Sequence, residues 1–389
     1  MGFLSASAGM VCFELSGTEA YQKNEQQLRE KLATEGFRSI EQSAQELATG
    51  WVHFDDDEAS DFSSAAGCVR DHYLCFALRQ DRRKVPAALL KRHFSRLCEE
   101  FLGAHPGLQR VPKNQREQLR DQARESLLAR TLPTPSVVHV VWDMQRNLVR
   151  FCSLGKNNIE TFQGLFHQTF PGLRLRLLPP LQRAFAVLPD SLHGALRQAD
   201  QAQSDSFLEQ IEANRWLGAD FLLWLFYRTL NSGSQYQVLT AGPLLEKQPF
   251  TAFLDDRLVL VGGGQEGQQK IVVAGPQDHF LEVKTALSQG KQIEEATLHV
   301  QQDEDRCWKL TLKGERFFFG GFTTPMIRPE TTPEDDPGLE AEAAFLTKIN
   351  AVEEGEQMFD SLFRTFLTVR LGGDWGRQLD AVNRWLKEL

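Results

Sequence analysis

The residues in this chain whose types and spacing could do chemistry fall in two neighbouring stretches of opposite charge. The first is Asp55-Asp56-Asp57-Glu58 with Asp61 close behind. Carboxylates grouped like this can hold Mg²⁺ for phosphoryl chemistry, which beside a nucleic-acid site would make a nuclease. Metal carboxylates must converge from defined directions, however. Four successive acids in a loop point apart and are well solvated, so a polar surface loop is the better reading. The second stretch, Arg79 to Pro135, holds thirteen bases against six acids, a local +7. The whole chain carries −9, so everything outside the stretch sums to −16. A basic device on an acidic body is the footprint of a surface that meets phosphate backbones. The candidate DNA contacts are Arg79, Arg82, Arg83, Lys84, Lys91, Arg92, Arg96, Lys113, Arg116, Arg120, Arg124 and Arg130.

Other chemistries lack their residues. Gly262-Gly263-Gly264-Gln265-Glu266-Gly267 matches GxGxxG in form, but a dinucleotide fingerprint must open a helix. Here the glycines run into the strand-like Ile271-Val272-Val273, which reads as a hairpin loop. No GK[ST] follows for a P-loop, and the nine histidines form neither HExxH nor a cysteine-histidine spacing that suits zinc. There is no GxSxG. The reading is of a binding protein, not an enzyme, with no catalytic residue, metal site or cofactor.

The bases must be positioned by two short helices. Pro86 stands where a first helical residue would, and Leu90, Phe94, Leu97 and Phe101 recur at spacings of four, three and four before Gly103. That apolar stripe leaves Lys91, Arg92 and Arg96 on the remaining faces. Pro112 opens the second helix, on which Lys113, Arg116, Arg120 and Arg124 fall within one narrow arc beside Leu119, Ala123 and Leu127. Pro133 and Pro135 end it. A solvated face is the alternative reading, since Glu117, Asp121 and Glu125 form a parallel acidic ridge that could neutralise the basic one.

Around this hairpin the chain alternates strands and helices. Met10–Leu15 reads as a strand and Glu19–Glu35 as an amphipathic helix with Leu28 and Leu32 inward. Tyr73–Leu78 reads as an apolar strand, and Ser136–Trp142 with Leu148–Ser153 as a β-hairpin. Asn157–Phe170 looks helical, with Ile159, Phe162, Phe166 and Phe170 as core rather than base-stacking aromatics. Leu173–Leu178 is a further strand, and Pro179-Pro180 marks a boundary. Ser206–Leu230 reads as one long helix, apolar nearly all round and so buried in its own subunit or against a second. Strands over Arg257–Val261, Lys270–Ala274, Ile293–Val300, Cys307–Leu312 and Arg316–Phe322 follow, with a short helix at Phe280–Gly290. A polar loop, Pro325–Pro337, precedes a helical end in which Phe359, Leu362, Phe363, Phe366 and Leu367 make one face. Glu330–Asp360 sets ten acids against Lys348 alone, a segment that should avoid DNA.

The expected architecture is α+β, with mixed or antiparallel sheets. Residues 1–85 with 131–180 would form an N-terminal α+β domain, 86–130 a basic helical hairpin protruding from it, and 181–389 a C-terminal α+β domain with an acidic helical end. Six cysteines without a CxxC pair fit a reducing compartment. No base precedes Lys23 to start a secretory signal, Ala6 stands where myristoylation wants Ser or Thr, and Phe221–Tyr227 is too short to span a bilayer. The expectation is a cytoplasmic protein without a membrane role.

Several of these stretches resemble the RdgC recombination-associated proteins. Leu127-Leu128-Ala129-Arg130-Thr131-Leu132-Pro133, leading into Val140-Val141-Trp142-Asp143, is similar to that family's junction between helical segment and β-hairpin, as is Gly50-Trp51-Val52 after an N-terminal helix. Ala286-Leu287-Ser288-Gln289-Gly290-Lys291 before a strand resembles its C-terminal GK motif. The resemblance implies a homodimer closed into a ring with a positively charged hole, nucleoid-associated, binding double-stranded DNA without sequence preference and restraining the RecA recombinase, without catalysis. The basic hairpin would then line or approach the hole, contacting phosphates rather than base edges. This chain departs from the family at Leu132, where an aromatic is usual, at Ala274-Gly275-Pro276, where bases are usual, and in extra residues around 216–265. Two rivals stand beside this reading: a scaffold whose acidic C-terminal half binds a protein, and a metal nuclease built on Asp55, Asp56 and Asp57.

Overall fold

The computed structural model describes residues 2–17, 24–43, 45–63, 68–203, 207–231, 233–264, 267–275, 280–326 and 337–388. The chain is α+β and divides into two compact units. One comprises Gly17–Arg146 with Glu160–Arg174; the other comprises Met1–Ser16, Asn147–Ile159 and Leu175–Leu389.

The first unit is built on an antiparallel sheet in which Tyr73–Arg82 lies between Leu47–His53 and Thr134–Asp143, with the short Val69–Arg70 also on Tyr73–Arg82. Tyr73 to Leu78 is an unbroken apolar run because the strand is central, and all six residues are buried. Trp51 and Trp142 provide the bulk of the core. Phe162 lies 6.1 Å from Trp51, while Phe166 and Phe170 lie 6.0 and 5.8 Å from Trp142, all edge-on. The helix Lys156–Thr169 thus presents its phenylalanines to the core, as their spacing predicts. Burying an indole N–H requires a partner, and Trp51 Nε1 donates to Thr169 Oγ1 at 2.7 Å. Gly50 beside it is a packing requirement, since a Cβ there would lie 2.4 Å from Phe37 Cα. Leu28 and Leu32 are buried on the helix Glu25–Thr34, shorter than the sequence predicts; residues 18–23 lie outside the described ones.

The second unit carries a larger antiparallel sheet. Its order is Gly267–Ala274, Pro249–Gly264, Gln292–Gln301, Cys307–Lys313, Phe318–Thr323, Ser7–Ser16 and Leu148–Phe151. The glycine-rich segment is a hairpin, with Gly264 opposite Gly267 and Gly263 opposite Gln268; residues 265–266 lie outside the described ones. The helices Arg215–Asn231 and Pro337–Leu371 supply the core. The Phe221 ring sits 5.4 to 5.9 Å from Phe317, Phe359, Phe363 and Phe366. The apolar helix is therefore buried within its own chain.

One expectation fails here for an identifiable reason. The single helix over Ser206–Leu230 is two, Phe207–Ala213 and Arg215–Asn231. Buried Asn214 separates them; it donates to Asp200 Oδ1 at 2.7 Å and accepts from Trp216 Nε1 at 3.1 Å, a side-chain network that competes with a continuous backbone ladder. Part of the acidic run of the C-terminal helix turns inward, while Glu340 and Glu342 are exposed. Glu353, Glu354 and Glu356 are buried. Arg150, itself fully buried, donates to Glu356 Oε2 at 2.8 Å and to Glu353 Oε1 at 3.2 Å. Arg306 binds Glu354, and Arg183 binds Asp360. Residues 327–336, with the rest of the polar loop and the start of the acidic run, lie outside the described residues.

Candidate nucleic-acid interface

The basic stretch forms two helices, Ala87–Ala104 and Lys113–Leu128. They leave the sheet after Arg82 and return at Thr134, and those residues pair with each other. The two helices pack together as a hairpin. Ala87–Ala104 buries none of its residues, and its stripe of Leu90, Phe94, Leu97 and Phe101 is only half covered. Lys113–Leu128 buries Ala123 and Leu128. Between the helices lies a cleft of about 500 Å³ lined by Ala87, Leu90, Lys91, Phe94, Lys113, Arg116, Glu117 and Arg120. The Arg116 guanidinium sits over the Phe94 ring, 5.7 Å from its centroid. Periodicity predicts the stripe, but that its partner helix is too polar to cover it emerges only when the two are paired.

Of the twelve bases picked out from the sequence, two are committed to the fold. Arg79 grips Asp81 with two bonds of 2.8 and 3.0 Å, donates to Asp57 O at 2.7 Å and lies over Phe37. Arg83 is buried and donates to the carbonyls of Ser43, Ile40 and Glu41 at 2.6 to 2.8 Å, where it holds a loop. A guanidinium is the natural group for gathering orphan carbonyls, and that use is indistinguishable in sequence from a surface base. The other ten, Arg82, Lys84, Lys91, Arg92, Arg96, Lys113, Arg116, Arg120, Arg124 and Arg130, are exposed.

Among the described residues, Glu117, Asp121 and Glu125 of the acidic ridge make no ion pair with them. Arg96 pairs with Glu100 at 3.4 Å, and Arg124 pairs with Glu46, outside the hairpin, at 2.7 Å. Among the described residues, Lys113, Arg116 and Arg120 have no carboxylate within ion-pair distance, although Glu117 lines the same cleft. No side chain caps either helix at Pro86 or Pro112, so the first-turn N–H groups of Lys113–Leu128 add partial positive charge beside Lys113. Clustered, exposed cations on a helix can hold successive phosphates.

Three of the acids before the hairpin, Asp55, Asp56 and Asp61, are engaged individually. Asp55 pairs with the nearly buried Arg70, and Asp56 Oδ1 accepts from the Glu58 N–H at 3.0 Å. Asp61 accepts from the Ser63 N–H and hydroxyl at 3.0 Å each, bonds that hold its carboxyl below its usual range. Among the described residues, no group of three His, Cys, Asp or Glu side chains is arranged to hold a metal ion. No helix among them is long and apolar enough to cross a membrane.

A comparison with curated proteins returns no match. A family profile described as "Putative exonuclease, RdgC" matches residues 10–210, which include both sides of the basic hairpin and just over half of the chain. On that match the chain belongs to the RdgC family.

Proposed function

We propose that this chain binds double-stranded DNA without sequence preference, through the basic helical hairpin, and that it acts in homologous recombination by restraining RecA. The observation that carries the reading is the set of ten exposed cations on and beside the hairpin, with Lys113, Arg116 and Arg120 uncompensated by any described carboxylate. Membership of the RdgC family supports the recombination role. A homodimer closed into a ring, the arrangement its resemblance implies, would turn the protruding hairpins toward the encircled duplex and place the protein on the nucleoid.

The family description contains the word exonuclease. Hydrolysis on this chain would draw on the acids at 55–61, and there Asp55 is held by Arg70 and Asp61 by Ser63. Binding without cleavage is accordingly our reading. The acidic scaffold has fewer carboxylates to offer than its sequence suggests, because Glu353, Glu354 and Glu356 are buried against arginines, while Glu340 and Glu342 stay exposed.

The test is binding to linear duplex, closed circular duplex and single-stranded DNA across a salt series with Mg²⁺ present, followed by inspection of the DNA. Intact duplex bound with a steep salt dependence supports the proposal, and light scattering of the free protein should give twice the chain mass. Absence of duplex binding at low salt overturns it, and shortened strands overturn the non-catalytic part.

A further inference from the structure

The cleft between the two basic helices contains more than phosphate binding requires. A duplex backbone needs a row of cations; it makes no use of an apolar floor. Here Leu90 and Phe94 form such a floor, half open, and Lys91, Lys113, Arg116 and Arg120 rim it, with Glu117 as the one acid. The volume of about 500 Å³ lies within the range of sites that enclose a small planar group.

Resting on the reading of the hairpin as a DNA interface, we propose that this cleft is a stacking pocket for an unpaired nucleobase of single-stranded DNA. Every base has a flat apolar face and is flanked on both sides by phosphates. The cleft has the complementary arrangement: an aromatic ring at Phe94, a guanidinium at Arg116 that lies 5.7 Å from the ring centroid and swings aside to let a base onto that face, and further cations on both helices near the flanking phosphates. An aromatic next to an arginine plane is a sequence-tolerant platform, because it reads the π-face and not the hydrogen-bonding edge. The charge balance, four cations to one acid, disfavours an uncharged or basic occupant. Paired bases are stacked within the duplex and cannot enter. The pocket therefore separates the two forms of DNA: both engage the cations, and only single strands engage Phe94.

The experiment uses the full chain with a 30-nucleotide oligo-dT and a duplex of the same length at one salt concentration. Phe94→Ala should weaken oligo-dT binding by about 10-fold or more while duplex binding stays within about 2-fold. Phe94→Tyr should restore it, since a phenol ring stacks equally well. As a direct readout, the emission that Phe94→Trp adds to that of the seven native tryptophans, taken as the difference from the wild type, should be quenched by oligo-dT and left nearly unchanged by duplex. Equal losses for both DNAs in Phe94→Ala, or unquenched Phe94→Trp with oligo-dT bound, would overturn the stacking pocket and leave the phosphate interface standing. A wild-type chain that binds neither DNA would overturn the interface itself.

Discussion

Arg150 offers the sharpest test of what holds the larger unit together. Its side chain is fully buried and makes bonds of 2.8 to 3.4 Å to Glu356, and one of 3.2 Å to Glu353, while Cys12 Sγ also donates to Glu356 at 3.5 Å. Replacement by Met keeps the volume and removes the charge, leaving Glu356 buried without the guanidinium that binds it. Breaking a buried pair from one side costs about 3–5 kcal/mol, which for a unit of this size lowers Tm by about 6–20 °C. Removing the second partner as well, in Arg150→Met with Glu356→Met, should recover at least about 2 kcal/mol of that loss, because the penalty belongs to the orphaned charge. The pH dependence has a definite sign. Burial alone would raise the Glu356 carboxyl, and Arg150, helped by Arg183 and the Cys12 thiol, outweighs this to hold it below its ordinary value of 4.5. A depressed carboxyl contributes stability above about 4.5 that is lost as pH falls through the folded-state value, so the wild type should weaken on that acid limb. Arg150→Met should be most destabilised at neutral pH and approach the wild type in acid, where protonation removes the orphaned charge. Thermal and urea unfolding of the wild type, Arg150→Met, Glu356→Met and the double variant between about pH 3 and 8 measure this. A single-variant loss below about 1 kcal/mol, or a double variant as unstable as the two single losses added together, refutes the reasoning.

Four further outcomes are expected. Gly50→Ala forces a Cβ to 2.4 Å from the Phe37 backbone and should cost about 3 kcal/mol or more, read as a fall in Tm. Trp51→Phe keeps most of the ring but loses the 2.7 Å bond to Thr169, a loss of about 1–2 kcal/mol in urea unfolding. His139, pushed down by burial from 6.5 to about 4, favours the neutral ring in the folded state; stability should therefore fall as pH drops below 6.5, and His139→Gln should flatten that fall in the urea midpoint. At about pH 8 a thiol reagent should label partly exposed Cys98 and Cys307 rapidly, whereas buried Cys12, Cys68, Cys75 and Cys152, whose thiols burial pushes up, should react only on unfolding.

Much of the fold is legible in the sequence where one local pattern decides the outcome. The period-3.6 phenylalanines from Phe162 to Phe170, the apolar run at Tyr73–Leu78 and the prolines before each basic helix all specify their elements, because burial and backbone chemistry agree there. Three features are not legible. Asn214 breaks a helix through its tertiary partner Asp200. Arg79 and Arg83 share a basic run with Arg82 and Lys84, yet a strand alternates its faces, so Asp81 and Arg83 turn inward while Arg82 and Lys84 face solvent. The sequence does not show that Glu353, Glu354 and Glu356 turn inward, because their partners are Arg150 from a distant strand and Arg306 from the loop before Cys307–Lys313. In each case a long-range partner decides whether a polar side chain serves the core or the surface.

The most direct test of the central claim is the salt dependence of duplex binding for the wild type beside the triple variant Arg116→Ala, Arg120→Ala and Arg124→Ala. If about eight phosphates are neutralised, log affinity should fall against log salt with a slope near −7 for the wild type, and the slope of the variant should be shallower by about 2.7. A variant with the wild-type slope and affinity would contradict the account, because it would remove those arginines, and the helix that carries them, from the DNA interface.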